Sequence, residues 1–551
     1  MLSRVRLLLQ NLTTAGRLHS PIAPTSVRVM ATTSDAPAPP GDAASPPPDY
    51  STWPPARLIA HIHHLESQLP RTYPPSIPQP KKRPLRPFNP NAHPTRLIAL
   101  RISYLGHPYN GFEYTPSATK LPTVEEPLFL ALLKSRLVPA LPTAPNPLHI
   151  SAWPPESVTS YSKCGRTDRG VSAFGQVISL KVRSNRPADP EKLKTWDPVH
   201  DELNYPQILN RLLPATIRVL AWAPEVPEDF SARFSCLSRT YRYFFTNPML
   251  CEQGGANPGA LDTDAMNEAA ANFLGSHDFR NFCKQDASKQ LTNFTRLVST
   301  SRIVEEEPGV FYFELQGTAF LWHQVRHMIA VLFLVGQRLE SPDIVKEMLN
   351  INIFKTKPAY EMSDDKPLVL WDCDFPGIQW IYGDGLPGRD KTMDTVFTLW
   401  QRAKIEEVLT RGLSSLVQRN KVVRDTDDDA NTTKPKRKHL KSEKEQSHYL
   451  ITGDGEVTSR GRYVKVGDRE RQRTVEEINK AYAERKGDWD TRRDARIAKR
   501  RKQAEDNGLE VPVWEPKRPD IKDQVPDIKD QVPDTGEEKS IETKDSPMSG
   551  M

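Results

Sequence analysis

Three short stretches of this chain combine residue types that could carry chemistry. In the first, "YSKCGRTDRGVSAFGQVISLKV" (161–182), Asp168 stands between Arg166 and Arg169 and is bracketed by Gly165 and Gly170. A neighbouring cation favours the ionised form of a carboxyl group. Asp168 therefore suits nucleophilic or base chemistry better than proton donation. Glycine on either side allows a sharp turn or the close approach of a ligand to the backbone. An Arg–Asp pair in a polar turn is more often structural than functional, so the rest of the chain has to decide.

In the second stretch, "SRTYRYFF" (238–245), strand alternation puts Arg239, Tyr241 and Tyr243 on one face and Thr240, Arg242 and Phe244 on the other. Arginine interleaved with aromatics suits stacking on unpaired bases and neutralising phosphate. An ordinary half-buried strand gives the same pattern. The third stretch, "FLWHQVRHM" (320–328), spaces His323 and His327 like the zinc-protease motif HExxH. Gln324 replaces the glutamate base and no third ligand is evident, so a metal reading is rejected. Arg326 lies in an otherwise apolar helix pattern, where a buried charge needs a partner. Asp168 is the candidate partner, and a surface-facing Arg326 is the alternative. A glycoside hydrolase would need a second carboxylate motif, and none is obvious.

The elements that must position these groups begin near Thr95. "TRLIALRISYLG" alternates as a strand, and "TVEEPLFLALLKSRLV" is a helix pattern with Thr123 and Glu126 spaced as a capping box. "FGQVISLKV", "TIRVLAWAPEV", "RTYRYFFTN", "LVSTSRIVEE", "VFYFELQGTAF" and "KPLVLWDCDF" read as strands. "DELNYPQILNRLLP" (broken somewhat at Pro206), "DTDAMNEAAANFLG", "LWHQVRHMIAVLFLVGQRLE" and "SPDIVKEMLN" read as helices. Strands and helices alternate irregularly, with several strand pairs on short turns, which predicts an α+β domain or two related halves with mixed sheets.

Composition sets the surroundings. Only 37% of the 551 residues are hydrophobic and 51 are proline, so part of the chain should not be packed. Residues 1–52 and most of 421–551 are expected to be disordered, with a short helix and basic proline-rich linker over 53–94 and a helical extension over 386–420. "VEEINKAYAERKG" (475–487) is the tail segment expected to form a helix on a partner. The net charge is +6, with basic runs at 434–441 and 496–502 that read as nuclear signals, RNA-contacting arms or solvated spacer. The five cysteines, Cys164, Cys236, Cys251, Cys283 and Cys373, are widely spaced without CxxC. This predicts a reducing compartment, with neither a disulfide framework nor a thiolate zinc site. No run of 18 apolar residues exists, so no membrane-spanning helix is expected. The first 30 residues contain Arg4, Arg6, Arg17 and Arg28 and no acid, the composition of a mitochondrial transit peptide or of a merely basic start. Met30 offers a second start, hence an expected cytoplasmic and nuclear protein with a mitochondrial form begun at Met1.

"GRTDRGVSAFGQV" (165–177), "DFSARFSCLSRTYRYFF" (229–245), "FLGSHDFRNFC" (273–283), "GTAFLWHQVRHMIAVLFLVGQ" (317–337) and "PLVLWDCDF" (367–375) together resemble the TruA-type tRNA pseudouridine synthases, in family order and over about 95–380. "CGRTDRGVSAFGQVISL" and "FLWHQVR" are most similar to the eukaryotic branch that modifies positions 38 and 39 of the anticodon stem-loop. One departure is that "NGFEYTPSATK" (110–120) lacks the glutamine usual in the family's first turn.

The resemblance implies two similar α/β halves, here 95–235 and 236–385, with mixed or antiparallel sheets around a basic cleft. It further implies a tRNA substrate, a homodimer as in bacterial members, and neither cofactor nor metal. It makes Asp168 the catalytic carboxylate and stacks Tyr241 on the target uracil. Arg166 and Arg326 would position Asp168 and the flipped nucleotide, and Leu370 would line the base pocket. Arg169, Arg239 and Arg242 would be RNA contacts. A non-catalytic tRNA-binding or folding protein on the same scaffold is the competing reading.

Overall fold

The structure, a computed structural model, describes residues 53–68 and 93–498, except 117–118, 155, 249–259, 384–390, 431–446 and some positions after 486. The transit-peptide segment, the proline-rich linker, the basic run at 434–441 and the end of the chain lie outside the described residues. The first of two compact units, before residue 87, contains helix α1 (Pro55–Gln68). Everything below concerns the second unit.

Its centre is a ten-stranded sheet. In chain order the strands are β1 (Thr95–Tyr104), β2 (Ser162–Lys163), β3 (Ser172–Arg183), β4 (Ile217–Ala223), β5 (Ser238–Thr246), β6 (Gly275–Asp278), β7 (Thr295–Glu307), β8 (Val310–Gly317), β9 (Leu368–Asp374) and β10 (Ile381–Tyr382). In space the order is β10-β4-β1-β3-β9-β5-β8-β7-β6, with β2 beside β3. All described pairings are antiparallel except β3 with β9. The α+β class expected from the irregular element order is therefore what forms, and the two halves share one continuous sheet. The C-terminal half lends β9 to the seam and β10 to the far edge, so the halves in space are not the halves in sequence.

The seam between β3 and β9 is short: only Ser172↔Val369 and Ala173↔Leu370 pair there. β5 joins β9 on its other side, with Tyr241 opposite Leu370. Ala173, Leu370 and Tyr241 thus form a row across three strands. Close approach at the seam demands Gly175, because a Cβ there would meet the Asp372 Cα at 2.6 Å.

Helices α2 (Glu125–Lys134) and α3 (Tyr205–Asn210) belong to the first half, and α4 (Thr263–Ala271), α5 (Gln324–Gly336) and α6 (Ile344–Leu349) to the second. Leu128 and Leu132 of α2 are buried as their spacing predicts. The capping box does not form. Val124 is the cap, and buried Thr123 Oγ1 has no hydrogen-bond partner. Glu125 instead takes the Tyr114 N–H, the Tyr161 hydroxyl and Lys163. Pro206 does not break α3 but sits in its first turn, behind an Asn204 cap, where a missing N–H costs nothing. α5 is buried almost all round, as its apolar sequence requires.

Two hydrophobic clusters result. One gathers β1, β3, β4, α2 and α3, and the other β5, β8 and α4 to α6. Tyr241 packs against both. Beyond helix α7 (Thr392–Ala430), the hairpin β11 (Ser447–Ile451) and β12 (Val457–Arg462) and helix α8 (Val475–Lys486) fold back on the second half. Ile451, Val466 and Val475 enter its core. Tyr243 donates its hydroxyl proton to the Thr452 carbonyl at 2.9 Å, and Asn479 Nδ2 donates to the Leu291 carbonyl at 3.2 Å. Residues 447–486 are thus not part of a disordered tail, and α8 finds its partner in its own chain. Three isolated apolar residues among charges are too sparse a signal to read from sequence.

Candidate active site

The loop from Gly165 to Val171 runs from β2 into β3 and is held from several sides. Gln176 on β3, fully buried, accepts from the Gly165 N–H and donates to the Gly165 carbonyl at 3.1 and 2.9 Å. Thr167 shares a hydrogen bond with the Tyr104 hydroxyl at 2.7 Å, and the Phe112 N–H donates to the Thr167 carbonyl. Gly170 adopts φ +79°, and a Cβ there would lie 2.3 Å from Asp365 Oδ1. Only glycine meets both demands. Asp168 is the carboxylate this loop brings to the cleft.

The Asp168 carboxylate meets neither flanking arginine. Arg166 is exposed and pairs through Nε with Glu113 Oε2 at 3.2 Å, and Arg169 is exposed. Consecutive side chains in a turn point apart, so adjacency in sequence does not become contact. Trp322 Nε1–H instead donates to Asp168 Oδ1 at 3.2 Å, and His323 Nε2 lies 3.5 Å from Oδ2. Arg326 does not pair with Asp168 either. Its Nε donates to the Ser363 carbonyl at 2.7 Å, and Nη1 lies 3.9 Å from Asp365 Oδ2. Being buried, it needed a partner as expected, but the loop before β9 supplies a nearer one. Burial pushes the Asp168 carboxyl above its usual range, against the opposing pull of the Trp322 bond, Arg326 and Lys289. The expected downward shift from flanking cations is absent because those side chains face elsewhere.

Trp322 and His323 sit in the turn before α5, not on the helix. His323 has φ 61°, the left-handed region, and caps α5. The turn is tied by the Leu321 N–H to Gln324 Oε1 at 2.8 Å and by the Lys284 N–H to the Trp322 carbonyl at 2.9 Å. Burial and nearby Arg326 push the His323 imidazole down to about 4, so at neutral pH it faces Asp168 uncharged. His327 lies inside α5 against Lys357 Nζ at 2.9 Å, a core contact well away from His323's task.

Tyr241 lies on the cleft face of β5, edge-on to Phe320 with ring centroids 5.1 Å apart. Burial pushes its phenol up, so it stays protonated. Around Asp168 and Tyr241 opens a cleft of about 1940 Å³, lined by eight Lys or Arg and five Asp or Glu side chains. The excess of cations makes it suited to a polyanion. Lys284 Nζ stands 4.6 Å over the Trp322 ring, and Phe234 on the rim is 68% exposed.

Residues 269–376, which hold β6 to β9, match the family model described as tRNA pseudouridine synthase. The chain is 39% identical over 409 residues to the tRNA pseudouridine(38/39) synthase of Saccharomyces cerevisiae, covering 74% of this chain and 81% of that one. It is 46% identical over 316 residues to the Bos taurus protein of that name and 44% over 313 residues to the Homo sapiens one. Those alignments cover 54% of this chain and about three fifths of the mammalian proteins. The chain belongs to the tRNA pseudouridine synthase family.

Within this member of the family, the remaining residues singled out in sequence take different stations. Arg239 lines the cleft, and its terminal nitrogens donate to the carbonyls of Thr318, Cys164 and Arg233 at 2.5, 3.0 and 3.3 Å. It ties three cleft segments together. Arg242 lies on the opposite sheet face, paired with Glu314 and stacked 4.1 Å from the Trp371 ring. Leu370 is fully buried behind Tyr241 and Gly165, while Leu368, two residues earlier on the same strand face, lines the cleft. Trp322, Gln176, Glu113 and Asp365 were not singled out. Trp322 and Gln176 stood inside quoted motifs, but only the fold shows what they touch. Nor did sequence spacing foretell that Cys164, Cys236 and Cys373 come together, all buried, with their sulfurs within 4.8 Å of one another.

Proposed function

We propose that this chain isomerises uridine to pseudouridine in the anticodon stem-loop of tRNA, at positions 38 and 39, with Asp168 as the reacting carboxylate. The observation that carries the reading is the half-buried Asp168 carboxylate, which lines a cation-rich cleft together with Tyr241 and is raised above its usual range by burial. The relatives named tRNA pseudouridine(38/39) synthase support the substrate and positions.

The reaction breaks N1–C1′, turns the uracil, bonds C5 to C1′, takes the proton off C5 and leaves one on N1. A stacked base cannot turn inside a stem, so it must be flipped out and held against a flat or apolar surface. Tyr241 and Phe320 offer such a surface, and the lysines around Trp322 offer phosphate contacts. Asp168 in its ionised form can add to the ribose or the base, or accept the 2′ proton. A carboxylate partly stripped of water is the more reactive for it. Arg326 acts on Asp168 through space and by fixing Asp365 against Gly170.

The deciding experiment maps pseudouridine in tRNA from cells whose only copy is Asp168→Asn. Modification at 38 and 39 should fall at least about 100-fold while tRNA binding persists. Unchanged modification would overturn the assignment.

A further inference from the structure

Cys164 follows β2 immediately before Gly165 of the Asp168 loop, Cys236 precedes β5, and Cys373 lies on β9. They come from three elements at the seam of the sheet, are 4, 8 and 3% exposed, and are free thiols. We propose that these three sulfurs form a binding site for a thiophilic divalent cation of the zinc type, which braces the Asp168 loop against the seam.

Geometry, charge and access agree on this. A cation centred in a triangle of sulfurs no more than 4.8 Å apart would lie at most ~2.8 Å from each, against ~2.3 Å for a zinc–sulfur bond. An inward shift of about 0.5 Å per sulfur closes the gap, within reach of small side-chain rotations. Three soft sulfurs select zinc-like or cuprous ions over magnesium or calcium. Three thiolates and a divalent ion carry one net negative charge, and the Arg239 guanidinium, bonded to the Cys164 carbonyl at 3.0 Å, stands ready to balance it. A cuprous ion would leave a second charge buried without a partner. Binding exchanges the three S–H protons for the cation and releases them to solvent. Cys164 and Cys236 also stand in the cleft wall, which gives the ion a path in and leaves room for a water as fourth ligand.

The test uses the full chain, stripped with chelator under reducing conditions and reloaded with Co2+ or Zn2+ alone. One metal per chain and a thiolate-to-cobalt charge-transfer band are expected. Both should be lost in Cys373→Ala and kept in Cys283→Ser, which alters a buried cysteine outside the trio. Should Cys373→Ala fail to fold, alkylation of the wild-type thiols is followed by mass spectrometry instead. Zn2+ should then slow modification of Cys164, Cys236 and Cys373 tenfold or more. Absence of the band, or equal alkylation with and without Zn2+, overturns the site.

Discussion

The Trp322 indole N–H donates to Asp168 Oδ1 at 3.2 Å, joining two residues 154 positions apart in the chain. Asp168 therefore takes its orientation from the turn ahead of α5, in the other half of the molecule, and not from its neighbours in sequence. The same bond opposes the upward push of burial on the carboxyl.

Trp322→Phe keeps the ring and removes the donor. A hydrogen bond to a charged group contributes ~1.5–3 kcal/mol, which predicts a fall of about 10- to 100-fold in kcat/KM, borne mainly by kcat. Because the lost bond favoured the ionised form, the acid limb of the pH–rate profile should move to higher pH. An unmoved limb with unchanged kcat would show that the contact is idle.

Asp168→Asn should not weaken the fold at neutral pH. A carboxyl whose folded pKa is raised favours the folded state only while protonated, so its ionised form opposes folding. The variant should melt at the same or a higher temperature than wild type near pH 7. That difference should vanish as the pH falls below the ordinary carboxylate range, about 4. A lower melting temperature at pH 7 would contradict the raised pKa.

Arg326→Met removes the partner of the Ser363 carbonyl and of Asp365. Leaving a buried acceptor unpaired costs about 1–3 kcal/mol, readable as a lower urea midpoint. Arg326→Lys should restore part of it. Equal stability of the Met variant and wild type would mean that these contacts contribute nothing.

Ending the chain at residue 446 strips Ile451, Val466 and Val475 from the second core. Each buried side chain of this size contributes ~1.5–3 kcal/mol, so a melting temperature several degrees lower is expected. The α8 contribution to the cleft wall, Val475 and Asn479, is lost as well. An unchanged melt would mark 447–486 as a passive appendage.

Periodicity alone located most strands and helices of the sheet, because alternation and 3.6-residue spacing are local properties that burial then enforces. Asp168, Tyr241 and Arg326 were legible too, since each breaks the pattern around it: a carboxylate between arginines, aromatics among arginines, a charge in an apolar helix. Who touches whom was not legible. The seam of β3, β9 and β5 sets Ala173, Leu370 and Tyr241 in one row, and that register depends on strands nearly 200 residues apart. The same packing gave Arg326 to Asp365, Asp168 to Trp322, and three scattered cysteines to one another. Sequence determines which side chains must find partners, because a buried charge or donor left alone is costly. Only the tertiary structure decides which partner each one finds, because that choice is made by geometry between segments that no local pattern connects.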